Sequence, residues 1–357
     1  MENNVSLKQR LQLELNRQLV QDARKTHPLR QLFWECTLRC NMNCRHCGSD
    51  CKASSVLPDM PFEDFRKVLE KVKEHYDSHK VSITLSGGEP LMRPDLARCA
   101  RAIYDMEFPW GLVSNGWLMT PEKIEELLAA GLHGATISLD GLKEEHDWMR
   151  GRENSFERAS KAISILAAEP GIGFDVVTCV NRRTIGKLEQ IKDYLLSLGV
   201  RQWRLFSIFP AGRAAQDPLL QLPPEEFRQL MDFICKCRKE GEIKTSYGCE
   251  GFLGPYEGKV RDNIFTCQAG LTVASVLADG SISACVSIRS DFHQGNIYRD
   301  DFIEVWENRF LPYRDRSWAK TGKCAECRWW RYCEGNGMHL RGDNHELMLC
   351  HLDKINL

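Results

Sequence analysis

From residue 31 onward, short apolar segments alternate with amphipathic stretches of ten to twenty residues. The apolar segments predict strands at 32–37 (LFWECT), 81–86 (VSITLS), 110–115 (WGLVSN), 134–140 (GATISLD), 173–180 (GFDVVTCV) and 203–209 (WRLFSIF). The stretches between them predict helices near 61–77, 94–106, 121–130, 154–168 and 185–198. Pro61, Pro94 and Pro121 fall close to helix starts, where the missing N–H costs nothing because that donor has no helical partner. Gly131 and Gly199 stand where left-handed C-terminal caps are needed. Strand–helix alternation of this kind predicts parallel strands joined by crossover helices. Six such units fit a βα barrel, complete or partial, in which reactive groups collect on the loops that follow the strands.

The flanks have a different texture. Residues 1–30 predict a charged N-terminal helix with a weak apolar stripe (Val5, Leu11, Leu13, Leu15, Leu19, Val20), either a packing helix or one that recognises a partner. Residues 214–248 hold Pro-rich turns and one amphipathic helix near 224–240, and predict a bridge. Residues 249–357 predict a second, smaller domain, with strand-like runs (LTVASVLADGSISACVSI) before a Cys- and Trp-rich tail. The barrel unit then spans 31–213. No stretch approaches the ~20 apolar residues of a membrane span. The polar start has no signal-peptide core, which predicts a cytoplasmic protein. A formal net charge of -1 gives no reason to expect nucleic acid or an anionic membrane as partner.

Cysteine changes the picture. There are 16, five of them between Cys36 and Cys51 and seven between Cys249 and Cys350. In a reducing compartment, clumped Cys at short spacings read as metal ligands or redox groups, not as a disulfide framework. The first predicted strand runs into CNMNCRHC, placing Cys40, Cys44 and Cys47 on one loop. Three thiolates there can hold three corners of an iron–sulfur cube and leave the fourth iron open. The lesser reading of this spacing is a zinc site that recruits Cys36 or Cys51 as a fourth ligand. The second strand ends in Ser86-Gly87-Gly88-Glu89-Pro90, where the glycines permit positive φ and close approach of backbone to a ligand.

With this loop after strand one, including His46 in the aromatic position, and GGEP after strand two, the chain resembles the radical S-adenosylmethionine (radical SAM) superfamily. Ser114-Asn115-Gly116 after strand three, Ser138-Leu139-Asp140-Gly141 after strand four, His146-Asp147, Arg150-Gly151 and Phe209-Pro210-Ala211-Gly212-Arg213 extend the likeness over about residues 31–213. The resemblance implies one [4Fe-4S] cluster on Cys40, Cys44 and Cys47, whose open iron chelates S-adenosyl-L-methionine. It implies reductive cleavage to a 5′-deoxyadenosyl radical that abstracts hydrogen from a substrate, with flavodoxin or ferredoxin as electron donor. It also implies that Gly87, Gly88 and Glu89 contact the methionine amino group, and that Ser114, Asn115, Ser138 and Asp140 lie by the ribose or carboxylate. Arg150 is read either as the partner of that carboxylate or as a surface residue, and Arg213 as a substrate contact.

Cys267, Gly280, Cys285, the Cys324-x-x-Cys327 pair, Cys333 and Cys350 resemble the SPASM domain, which carries auxiliary iron–sulfur clusters in enzymes acting on peptides; CxxC pairs alone would equally suggest zinc. The likeness implies one or two auxiliary clusters. Cys324, Cys327, Cys333 and Cys350 make a full set. The other set has Cys267, Cys285 and, as an added candidate, Cys249. The family's further Cys, four residues after Cys333, is here Gly337. That leaves an open or non-Cys fourth position, or no cluster. Cys36, Cys51, Cys99, Cys179, Cys235 and Cys237 read as packing residues.

The whole predicts an α/β chain: a partial (β/α)6 TIM-like barrel followed by a small Cys-rich SPASM-type iron–sulfur domain. FWECTLRCNMNCRHCGSDCK with CEGNGMHLR resembles the radical SAM enzymes of the rSAM/lipoprotein system, which implies a peptide or protein substrate, a lipoprotein being one candidate. Sulfatase-maturase-like formylglycine formation is the alternative, but those enzymes carry Asp after the Cys matching Cys285, where this chain has Val286. A non-catalytic metal-binding adaptor is the second alternative.

Overall fold

Strand β1 (Gln31–Thr37) presents Leu32, Trp34 and Cys36 on one face and Gln31, Phe33, Glu35 and Thr37 on the other, and pairs on both edges. In the computed structural model, which describes residues 5–49, 51–55, 57–288, 292–342 and 344–355, it lies inside one ten-stranded sheet. On one side it runs parallel to β2 (Ser82–Gly87), with Gln31 opposite Ser82 and Trp34 opposite Leu85. Beyond β2 come β3 (Trp110–Ser114), β4 (Leu132–Ser138), β5 (Gly173–Val180), β6 (Gln202–Ser207) and β7 (Lys244–Tyr247), all parallel. On the other side β1 runs parallel to β8 (Val273–Val276), with Gln31 opposite Val273 and Trp34 opposite Val276. Strands β9 (Ser281–Ser283) and β10 (Gly295–Asn296) continue that side antiparallel.

The crossover helices are α2 (Phe62–His75), α3 (Leu96–Asp105), α4 (Pro121–Ala129), α5 (Lys143–Arg150), α6 (Ser155–Ala168) and α7 (Leu188–Ser197), followed by α8 (Pro224–Glu240) before β7. Helix α2 shows why they pack. Phe65, Val68, Leu69 and Val72 recur at helical spacing and are buried, while its Glu and Lys face outward. Phe65 stacks on Trp34 of β1 at 4.5 Å between centroids, and Arg93 covers that indole at 4.9 Å. Two buried indole N–H groups find partners on neighbouring elements, Trp110 donating to the Ala130 carbonyl and Trp203 to Thr178 Oγ1, whereas that of Trp34 has none.

All six predicted strands form. The segment 214–248, predicted as turns and one helix, also contains β7. Its sequence KTSY is short and polar, and it makes the outer strand beyond β6, so it lacks the apolar signature of a strand buried on both faces. Helix α5 adds a second helix between β4 and β5. The N-terminal helix is α1 (among described residues, Leu7–Thr26), capped by a reciprocal Ser6–Gln9 box. Of its stripe only Leu13 is buried, while Leu7, Leu11, Leu15 and Leu19 face solvent. It packs along the C-terminal region: Gln9 donates to the Pro255 carbonyl, Asn16 to Thr266, Arg331 donates to Glu14, and Arg24 pairs with Glu334. No helix among the described residues is long and apolar enough to cross a membrane.

Removing the indole that joins β1 to α2 opens a large cavity. Trp34→Ala is expected to destabilise the protein by about 3–5 kcal/mol, read as a lowered urea midpoint.

Candidate functional site

The loop after β1 brings thiols together. Cys40 and Cys44 are buried with Met42 and Cys51, and Cys47 packs against them. Burial pushes the Cys40 thiol up to about 11. Cys51 hydrogen-bonds to Cys47, which lowers the Cys47 pKa and raises that of Cys51. Cys51, read in the sequence as packing, thus belongs to the thiol group of the loop. Cys36 points the other way, its thiol donating to the Ser86 carbonyl within the sheet.

The end of β2 is clamped to this loop. Gly88 donates its N–H to the Thr37 carbonyl at 2.8 Å and Glu89 to the Arg39 carbonyl at 2.9 Å. A β-carbon on Gly87 (φ +129°) would overlap the Thr37 carbonyl oxygen, and one on Gly88 that of Arg39. The glycines therefore admit close approach of protein backbone. Glu89 is fully buried. Its carboxylate accepts from Ser114 Oγ at 2.9 Å, from the Asn115 N–H at 2.8 Å and from the Leu91 N–H at 3.2 Å, tying the end of β3 to that of β2. Asn115 in turn donates to Asn41 Oδ1 at 2.8 Å and reaches Cys40 Sγ at 4.0 Å.

Past β4, Ser138 is half-buried at the strand end, and Asp140 is completely buried. Its carboxylate pairs with Arg150 at 2.7 Å and accepts the Cys179 N–H at 2.9 Å, while its own N–H donates to His146 Nδ1 at 3.0 Å. Burial opposes its charge, but Arg150, His46 and His146 outweigh burial and hold its pKa below normal. Arg150 is buried, not at the surface, and its second arm donates to Cys44 Sγ at 3.7 Å. His46, Asp140 and Cys179 bring a nitrogen, a carboxylate oxygen and a sulfur within 4.8 Å of one another. Nothing in the sequence marked Cys179, which lies across the sheet from Asp140. Arg213, read as a substrate contact, has its guanidinium on the loop, donating to the carbonyls of Cys44 at 2.8 Å and Cys51 at 3.4 Å. Chain direction after β6 turns it back over the Cys residues.

The C-terminal thiols form two groups. Cys324, Cys327, Cys333 and Cys350 line one cavity of about 530 Å3. Cys249, Cys267 and Cys285 sit close enough that each neighbour raises the Cys249 thiol, which burial already pushes to about 12. Cys249 itself is exposed, whereas Cys267 and Cys285 are half-buried. Between this region and the barrel mouth lies a cavity of about 500 Å3, walled by Glu35, His46 and Gly87 on one side and Val286, His339 and Arg341 on the other. The donor sets fit iron–sulfur chemistry: soft thiols in two shielded C-terminal groups and one loop group, with a buried His46 Nδ1 left without a hydrogen-bond partner beside the latter.

Comparison with protein families settles which chemistry this is. Residues 34–195 match the radical SAM superfamily and residues 267–328 the SPASM iron–sulfur cluster-binding domain. The chain is a radical SAM enzyme with a SPASM domain. Its first domain requires S-adenosylmethionine and a [4Fe-4S] cluster, and its second binds auxiliary iron–sulfur clusters. The adaptor and zinc alternatives are set aside. The enzyme is 28% identical to an AdoMet-dependent heme synthase of Methanosarcina barkeri, over 87% of this chain and 91% of that protein. It is 28% identical to the mycofactocin maturase MftC of Mycobacterium tuberculosis, over 86% of this chain and 78% of that one. It shares its fold with Streptococcus suis SuiB bound to the precursor peptide SuiA (TM-score 0.68, 16% identity, 90% of this chain and 75% of that one).

Burial pushes the Glu89 carboxyl up to about 7 against the pull of its three donors. The folded state then keeps this proton over roughly pH 4.5–7 while the unfolded chain has lost it, so stability falls as pH rises through that window. Glu89→Gln is expected to remove this slope, worth on the order of 3 kcal/mol, in unfolding midpoints compared between the two proteins across that range.

Proposed function

We propose that the enzyme modifies a peptide or protein by hydrogen abstraction, with the substrate held in the cavity between the barrel mouth and the SPASM loops. In this reading Cys40, Cys44 and Cys47 hold the [4Fe-4S] cluster. Gly87, Gly88, Glu89, Ser114, Asn115, Ser138, Asp140 and Arg150 form the S-adenosylmethionine cradle. Cys324, Cys327, Cys333 and Cys350 hold one auxiliary cluster, and Cys249, Cys267 and Cys285 most of another. When bound, the loop cluster supplies the electron that cleaves S-adenosylmethionine to methionine and a 5′-deoxyadenosyl radical. A flavodoxin- or ferredoxin-type protein is the proposed donor.

The protein's own residues supply position. Glu89 holds Ser114 and the Asn115 backbone in one geometry, and through Asn115 ties β3 to the cysteine loop. Arg150 and Arg213 fix the loop from the far side, through the Cys44 thiol and the Cys44 and Cys51 carbonyls. Both guanidiniums bring positive charge to a set of thiolates, which favours their ionised form.

The cavity lining carries the peptide reading. Its walls carry Glu35 and Glu346, which accept the N–H groups of Ala278 and Asn344, and its arginine, Arg341, is spent on the carbonyls of Gly335 and His345, so the lining holds more acid than base. Amide N–H and ammonium groups suit such walls. The heme synthase relative raises a tetrapyrrole as second reading, but carboxylate-bearing tetrapyrroles would meet carboxylates there with no unengaged arginine among the described lining residues. Formylglycine formation is disfavoured by Val286, an apolar residue on the cavity wall at the position where a base would be needed.

Anaerobically reconstituted enzyme given dithionite and S-adenosylmethionine is expected to release 5′-deoxyadenosine. The combined Cys40→Ala, Cys44→Ala and Cys47→Ala variant is expected to release none while keeping the iron bound by the C-terminal domain; loss of all iron would refute the separate ligand groups. Co-expression with short peptides or lipoproteins encoded beside the gene is expected to change the mass of one of them. Turnover of an iron porphyrin with every such peptide unmodified would favour the tetrapyrrole instead.

A further inference from the structure

The SPASM position that lacks its Cys is Gly337, and a different side chain fills its place. A β-carbon on residue 337 would lie 2.8 Å from Cε1 and 3.0 Å from Nδ1 of His339, so the imidazole occupies the volume into which a side chain at 337 would project. The backbone at Gly337 is extended (φ -67°, ψ 144°), a conformation any residue adopts, so its being glycine reflects crowding by the imidazole and by the Glu250 carbonyl, 2.9 Å away, and not a strained turn. The next residue, Met338, donates its N–H to Cys267 Sγ at 3.5 Å, which closes the 337–339 turn onto the Cys249, Cys267 and Cys285 group. The His339 ring is steadied by an edge contact with Phe209 at 5.0 Å between centroids. Neither ring nitrogen has a hydrogen-bond partner among the described residues, and the half-buried ring lies on the wall of the cavity between the barrel mouth and the SPASM loops.

We infer that His339 is the fourth ligand of the first auxiliary cluster, completing Cys249, Cys267 and Cys285 where the family has a fourth Cys. The inference rests on the proposed presence of that cluster. Exchanging a thiolate for a neutral imidazole removes one negative charge from the ligand set, and such exchange raises a cluster's potential. The substituted corner also borders the substrate cavity, since His339 forms part of its wall.

The test uses the full chain reconstituted in the Cys40→Ala, Cys44→Ala, Cys47→Ala background, without S-adenosylmethionine, so that only C-terminal clusters contribute. Pulsed electron paramagnetic resonance of the reduced protein is expected to show a strong nitrogen hyperfine coupling from a directly bound imidazole. That coupling is expected to vanish in His339→Ala. The double variant Gly337→Cys, His339→Ala, which removes the imidazole and supplies a thiol, with a small shift of the Glu250 carbonyl, is expected to restore a four-thiolate cluster with no nitrogen coupling and a lower midpoint potential. An intact first cluster without nitrogen coupling, or a coupling that survives His339→Ala, would overturn the inference alone. If Cys249→Ala, Cys267→Ala, Cys285→Ala in that background leaves the iron content per chain unchanged, the first cluster itself is absent, and the metal assignment under the proposed function falls with it.

Discussion

The two-sided pairing of β1 is the constraint on which the molecule depends. One edge of the strand carries β2 and the other β8, so the barrel and the C-terminal region share a single hydrogen-bonded sheet. The same strand delivers the cysteine loop at its C-terminal end. The position of that loop relative to the SPASM cysteines is thereby set by backbone ladders, which are stiffer than a surface contact between two bodies. The cavity between them inherits this rigidity, because Glu35 on β1 accepts the Ala278 N–H just past β8 and so pins its wall.

A buried charge network sits behind the loop. Asp140 and Arg150 are both withdrawn from water, and removing one partner of such a pair leaves an uncompensated charge that costs several kcal/mol. Their orientation is fixed further by the Cys179 N–H, by His146 and by the Cys44 thiol. Burial holds His146 neutral near pH 7, with its pKa pushed down to about 3, so its Nδ1 stays an acceptor for the Asp140 N–H. The Asp140 N–H therefore keeps this acceptor near pH 7.

Much of this was legible in the sequence. The six strands inside the sheet are apolar runs because both their faces are covered, and the residues that follow four of them carry the family's motifs. What escaped notice did so for physical reasons. Strand β7 is short, polar and outermost. Helix α5 is mostly charged, since three of its four inward-facing residues are Glu145, His146 and Arg150, with Met149 the one apolar residue among them. Cys51 joins the loop thiols through a chain reversal that spacing does not reveal. His339 left a faint signal, a histidine two residues from a missing Cys, but only the overlap of its ring with the space above Gly337 gives that signal meaning. The roles of Glu89 and Arg213 were read as contacts to cofactor and substrate, whereas their visible bonds are to the protein, because a side chain buried beneath a loop must satisfy its own polar atoms before it can meet anything else.

The pairing of β1 with β8 also governs the order in which the molecule can assemble. Residues 31–37 leave the ribosome early, but their second edge has no partner until residue 276 has been made, some 240 residues later. Through most of synthesis the strand leading into the cysteine loop is an open sheet edge, the kind of surface that invites pairing with other chains. Helix α1 waits equally long, since its anchors at Pro255, Thr266, Arg331 and Glu334 lie near the far end of the chain.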